Sequence, residues 1–131
     1  MVLVDTSVWV DYLNNGQHPS ALVLEELLKG YDVAICPPIY REVLQGIKND
    51  KDFIRIKSIL LNLHLVQHNP YEVAESAASL YRKMRKKGLT IKSTADVVIA
   101  MYAIKSTAAI LTLDSDFLII AKNSALEIYP W

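Results

Sequence analysis

The sequence predicts an α/β layer fold on a mostly parallel sheet. Short β-rich apolar runs recur from one end of the chain to the other. Segments with helical periodicity separate them, and no repeat, linker or low-complexity stretch breaks the alternation. Strands alternating with helices in this way close into layers around a parallel sheet.

Val2–Val4 is the first run, and Asp5-Thr6-Ser7 offers capping side chains before a short helix over Val8–Leu13. Asn14-Asn15-Gly16 ends it. Ser20 is expected to cap a second helix carrying Leu22, Leu24, Leu27 and Leu28, stopped by Gly30. Val33–Cys36 reads as a strand. Pro37 and Pro38 then open a helix to about Ile47, since proline is tolerated in a first helical turn.

Asn49 or Asp50 starts the next helix, where Phe53, Ile56, Ile59, Leu60 and Leu63 recur at helical period. Leu63–Val66 is a weak strand. A long helix follows from about Tyr71 to Lys87, with Val73, Ala77, Leu80, Tyr81 and Met84 on its buried face and Gly88 as its stop. Ser93 or Thr94 caps a helix through about Ile104. Ala109–Leu113 is a strand, Phe117–Ala121 a short helix and Leu126–Tyr129 a last strand.

The 131 residues are read as one domain spanning 1–131, because a chain of this length with 52% hydrophobic residues can bury a real core. Lys plus Arg and Asp plus Glu each number 14, so an anionic partner has to be held by a local patch or a metal rather than by overall charge. Cys36 is the only cysteine, which fits a reducing cytoplasm. Asp5 and Asp11 interrupt the apolar N-terminus and no basic region precedes it, so no signal peptide is expected. No stretch reaches the roughly 18 uncharged apolar residues of a spanning helix, and no membrane association is expected.

Four carboxylates stand where folding alone would place apolar groups. Asp5 closes the first strand and Asp114 closes the run 109–113. Glu42 shares a helical face with Ile39, Val43 and Gly46, and Asp96 shares one with Ile99, Ala100 and Ala103. Ligands bind at the carboxyl edge of an open α/β sheet, so all four acids can reach one crevice. Asp116 can add a fifth. Buried carboxylates that converge repel one another unless a cation or a proton intervenes.

Each acid also has a purely structural reading. Asp5 can cap the first helix, and Ser93-Thr94-Ala95-Asp96 resembles a capping box. Glu42 can sit at a rim, and Asp114-Ser115-Asp116 can cap the last helix. All of these must hold together to remove the site. An all-oxygen donor set suits Mg²⁺ or Mn²⁺. Zinc does not fit, because His18, His64 and His68 form no ligand cluster.

With those residues in view, the chain resembles the PIN-domain nucleases, and most of all the VapC-type toxins. VLVDTSVW over 2–9 is similar to the start of that family, and YREV over 40–43 to the segment carrying its glutamate. GLTIKSTADVVIA over 88–100 resembles its third acidic motif, and LTLDSDF over 111–117 its fourth. The four motifs in order span essentially the whole chain.

The resemblance implies a three-layer α/β/α sandwich with about five strands. It implies an Mg²⁺- or Mn²⁺-dependent endoribonuclease in which Asp5, Glu42, Asp96 and Asp114 are the metal-binding and catalytic acids, with Asp116 also at the metal. Thr6 or Ser7 and Thr112 would assist with hydroxyls. Metal held by Asp5, Asp96 and Asp114 would activate a water, and Glu42 would orient it, leaving a 5′-phosphate and a 3′-hydroxyl. The resemblance also implies a VapB-type antitoxin as partner and a homodimer. Trp9, Tyr12, Leu13 and the leucines of 22–28 are candidate docking residues, or else core.

RNA has to approach an acidic centre. Arg82, Lys83, Arg85, Lys86 and Lys87, followed by Lys92, form a basic cluster able to contact flanking phosphates, or else a solvated helix end. Arg41 lies beside Glu42. Three rival readings compete with this one. A haloacid-dehalogenase-like phosphatase would use Asp114-Ser115-Asp116, but that motif begins its domain. A receiver-type domain wants paired acids after the first strand, where Asp5 stands alone. A non-catalytic RNA- or protein-binding module on the same fold would not need the full acidic set.

Overall fold

Side-chain chemistry at the chain's punctuation points fixes most of the elements. The computed structural model describes residues Met1–Trp131. Strand β1 is Val2–Val4, β2 Val33–Ile35, β3 His64–Leu65 and β4 Ala109–Leu111. Helices α1 (Thr6–Leu13) and α2 (Ser20–Lys29) lie between β1 and β2. Helices α3 (Pro37–Gln45) and α4 (Asp50–Leu61) lie between β2 and β3. Helices α5 (Pro70–Lys86) and α6 (Thr94–Lys105) lie between β3 and β4, and α7 (Asp116–Lys122) follows β4.

Asn49 caps α4 by accepting from the Lys51 and Asp52 amides at 2.8 and 3.1 Å. Asn69 does the same for α5 with Tyr71 and Glu72 at 2.9 and 3.2 Å. The expected cap at Ser20 is not formed. Ser20 is the first helical residue, and its amide donates to His18 Nδ1 at 3.1 Å, so the imidazole does the capping. Gly88 ends α5 at φ +77°, a left-handed conformation, with the Leu89 amide returning to the Met84 carbonyl at 3.0 Å.

The sheet is parallel throughout, in the order β3-β2-β1-β4. Leu3 pairs with Ala34 on one side and Ile110 on the other. The chain steps from β1 outward to β3, then crosses back to add β4 on the far side of β1. Right-handed crossovers then put the helices before and after β3 on opposite faces. Helix α1 packs on α2 and α3, α5 packs on α6 and α6 on α7, and α3 also touches α6. The core is a cluster of 32 buried apolar residues centred on the strands. Trp9, Leu24 and Leu27 belong to it, so of the apolar side chains considered for docking only Leu22, at 71% exposure, stands fully outside.

The fifth strand is the one architectural difference. Leu126–Tyr129 makes only a single parallel bridge, Ile110 to Ile128. The Ile110 amide donates to the Glu127 carbonyl at 2.9 Å, and the Tyr129 amide donates to the Ile110 carbonyl at 2.8 Å. The next acceptor along β4, the Thr112 carbonyl, is taken at 3.1 Å by the Trp131 indole N–H instead of a backbone amide. The ladder therefore stops after one rung. The strand at 109 also ends at Leu111 rather than Leu113, because side chains take over the pairing. The Leu113 amide donates to Ser7 Oγ at 3.1 Å and the Asp114 amide to Thr112 Oγ1 at 3.0 Å.

Candidate active site

β1 and β4 are neighbours whose connections leave in opposite directions, so their carboxyl ends form a topological switch point, the place where α/β sheets open a ligand crevice. Asp5 follows β1 and Asp114 lies just past β4. Glu42 comes from α3 and Asp96 from the first turn of α6. Local chemistry then aims each carboxylate.

Asp5 is buried, and its Oδ2 accepts from Ser7 Oγ at 2.8 Å and from Thr112 Oγ1 at 3.0 Å. It occupies the N-cap position of α1 but makes no capping hydrogen bond. Burial raises its pKa, the hydroxyls of Ser7 and Thr112 and the Thr6 amide oppose that, and the Glu42 charge adds a smaller upward push. Glu42 Oε2 accepts from Thr6 Oγ1 at 2.6 Å. Arg41 lies 3.8 Å from Glu42 Oε1 and also reaches Gln45, and its guanidinium is mostly exposed.

Asp96, Asp114 and Asp116 form the tightest group. One oxygen from each lies within 4.8 Å of the others. Asp96 is 9% exposed, and its Oδ2 has no hydrogen-bond partner. Burial pushes its pKa up to about 7. The charges of Asp5 and Asp114, a hydrogen bond that favours a proton between Asp96 and Asp114, and the charge of Glu42 all act the same way. Asp96 makes no capping box, since no side chain caps α6. Asp114 does act partly as a cap. Its Oδ1 accepts from the Asp116 amide at 2.9 Å, and Asp116 Oδ2 accepts from the Lys92 amide at 3.0 Å.

The four expected acids thus share one region, but not as equals. Asp5 and Glu42 act on Asp96 through their charge, and only Asp116 joins Asp96 and Asp114 in the compact group. Lys92 enters through its backbone, a contact that side-chain reasoning missed. The basic cluster on α5 divides. Lys83 donates to the Asn123 carbonyl at 3.1 Å and Lys87 to Asn123 Oδ1 at 3.1 Å, so both pin the end of α7. Arg82, Arg85 and Lys86 are exposed, with Arg85 lying 5.8 Å from the Tyr81 ring centroid. The three histidines do not converge. His64 contacts the Tyr31 carbonyl, His68 the Ser106 hydroxyl and His18 that of Ser20. The Cys36 thiol is buried and pushed up to about 12, which makes it inert.

The donor set is all oxygen, crowded and incompletely partnered. That fits a hard divalent cation, which would relieve both the repulsion and the orphaned Asp96 oxygen. Fold and site together define an α/β protein with a carboxylate centre at its sheet switch point. Residues 2–123 match the PIN domain family. "VapC ribonuclease Mb1587" of Mycobacterium bovis is 32% identical over 129 residues, covering 97% of this chain and 96% of that protein. "Ribonuclease VapC11" of Mycobacterium tuberculosis matches to the same extent. The chain belongs to the PIN-domain family and, by that identity and coverage, to its VapC group.

Solved structures share the fold. VapBC2 from Rickettsia felis, bound to a DNA fragment from its promoter, superposes with a TM-score of 0.74 at 21% identity, covering 100% of this chain and 99% of that one. VapBC-1 from nontypeable Haemophilus influenzae gives 0.75 at 17% identity, covering 100% and 98%. FitAcB from Neisseria gonorrhoeae gives 0.70 at 17% identity, covering 99% and 97%. No helix of this chain is long and apolar enough to cross a membrane.

Proposed function

We propose that this chain is a metal-dependent endoribonuclease, the toxin of a VapBC-type pair, folded as one domain over residues 1–131. The observation that carries the reading is the convergence of Asp96, Asp114 and Asp116 within 4.8 Å, beside the buried Asp5, at the β1/β4 switch point. The ribonuclease names of its relatives support the substrate class. Asp5, Glu42, Asp96 and Asp114 are the proposed catalytic acids, with Asp116 at the metal site.

These carboxylates would hold Mg²⁺ or Mn²⁺, which when bound would supply charge to acidify water and stabilise a phosphodiester under attack. The chain's own groups do the rest. Ser7 and Thr112 fix Asp5 in one orientation by donating to the same oxygen. Thr6 fixes Glu42, which is more exposed than Asp5 and placed to orient a water. Asp116, steadied by the Lys92 amide, holds its carboxylate toward Asp96 and Asp114. Arg41, Arg82, Arg85, Lys86 and Lys92 are the proposed cations for the phosphates of the scissile strand. The 5′-phosphate and 3′-hydroxyl products are part of this proposal.

A cytoplasmic VapB-type antitoxin is the proposed partner, supported by the toxin–antitoxin complexes among its structural neighbours. A homodimer is proposed with it. The test is cleavage of a mixed RNA pool with Mg²⁺, Mn²⁺ or EDTA, comparing wild type with Asp96→Asn. Metal-dependent cutting by wild type alone is expected. RNA binding without cutting in every condition would favour a non-catalytic binding module.

A further inference from the structure

Trp131 stands at the edge of the acidic site and has no part in the scheme above. Its indole N–H donates to the Thr112 carbonyl at 3.1 Å, and the hydroxyl of the same threonine donates to Asp5 at 3.0 Å. Thr112 therefore links the indole to the Asp5 carboxylate. His18 meets it edge-on, with ring centroids 4.6 Å apart and planes at 76°. The imidazole is itself held by the Ser20 amide at Nδ1, so the pair is braced from two elements. Even so, Trp131 remains 55% exposed. Anchored by its polar edge, the indole leaves more than half of its surface open to a partner.

We propose that Trp131, braced by His18, is a stacking platform for a base of single-stranded RNA flanking the scissile phosphate. The proposal rests on the ribonuclease reading. The physical reason lies in charge. A neutral chain with a cluster of carboxylates repels the phosphates it has to hold, and stacking binds a nucleotide without using its charge. Every base has a π-face, so such a platform fixes the register of the strand without demanding one sequence, and it favours unpaired RNA over duplex.

The test compares wild type, Trp131→Ala and Trp131→Phe on an RNA that the wild type cuts, and on copies carrying one abasic nucleotide near the cut. Trp131→Ala is expected to raise KM about tenfold with kcat nearly kept, the scale of one lost base stack. Trp131→Phe keeps the ring face but loses the N–H, and is expected to restore most of the affinity. One abasic position should weaken wild type by the same factor and leave Trp131→Ala unchanged. RNA binding by Asp96→Asn should quench tryptophan emission, since Trp9 is buried and Trp131 is not, and the quench should vanish in Trp131→Phe. If Trp131→Phe loses kcat as badly as Trp131→Ala, or no abasic position couples to residue 131, Trp131 merely holds Thr112 and the proposal falls. Should wild type neither cut nor bind RNA, the ribonuclease reading fails. Cutting that is equal in wild type and Trp131→Ala removes the platform alone.

Discussion

Thr112 Oγ1 donates to Asp5 Oδ2 at 3.0 Å across 107 residues of sequence. The same hydroxyl accepts from the Asp114 amide at 3.0 Å. One side chain thus ties the ends of two adjacent strands and orients an acid from each. Thr112→Val keeps the shape and removes both bonds. It is expected to cost about 1–3 kcal/mol in stability, because a buried carboxylate and an amide lose a partner. RNA cleavage should fall with it. Urea denaturation and initial rates check the two halves, and unchanged values in both would show that Asp5 is held by Ser7 alone.

Asp96→Asn should separate stability from activity. The substitution removes a charge that Asp5, Asp114 and Glu42 all oppose. The metal-free variant is expected to melt above metal-free wild type. Cutting should drop at least about a hundredfold, more than losing a supporting contact around a metal ligand usually costs. Thermal melts in EDTA and RNA cleavage in Mn²⁺ give the comparison, and a lower melting point in EDTA would mean that the acids are not in conflict.

The metal-free protein should lose stability as pH rises. Asp96 has a folded-state pKa of about 7 against an ordinary value of 3.8, so the folded form binds the proton more tightly than the unfolded chain. Its contribution is therefore complete below about pH 4 and is lost progressively as pH climbs through about 7. Asp5, also raised, acts in the same direction. Melting temperatures in EDTA across this range measure the slope. The slope should flatten in Asp96→Asn.

Saturating Mg²⁺ or Mn²⁺ should reverse that loss. A ligand at about 100 times its dissociation constant stabilises by about 2.7 kcal/mol if it binds only the folded form. The shift should be largest above pH 7, where Asp96 is ionised, and small near pH 5. An equal shift in Asp96→Asn would place the ion elsewhere.

The cations of α5 should fall into two groups. Replacing Arg82, Arg85 and Lys86 with alanine should weaken RNA binding and flatten its dependence on salt, by about 0.7 in the log–log slope per lost phosphate contact. Lys83→Ala and Lys87→Ala should instead loosen the end of α7, which both lysines hold through Asn123. Binding isotherms at several salt concentrations distinguish the groups.

Much of this was legible in the chain because it is written locally. The cap at Asn49, the proline-led α3 and the stop at Gly88 depend on a few neighbouring residues. Misplaced boundaries had non-local causes. Ser20 has the side chain of a cap, but His18 supplies the acceptor, and only the folded turn brings that ring to the amide. The run through Leu113 looks like strand, yet Ser7 and Thr112 side chains claim its last amides.

The sequence by itself determined that apolar runs alternate with helices and that acids interrupt them at Asp5, Glu42, Asp96 and Asp114, because periodicity and an ill-placed charge are both visible residue by residue. Tertiary structure alone decided which acids meet. The crossover that seats β4 beside β1 brings Asp5 and Asp114 to one crevice, and the docking of α6 buries Asp96 there without a partner for Oδ2. Placement of Asp116 within the compact group, of Lys92 through its backbone and of Trp131 on the Thr112 carbonyl follows from contacts between segments separated in the sequence. Such contacts depend on how the whole chain packs, and no window of neighbouring residues encodes them.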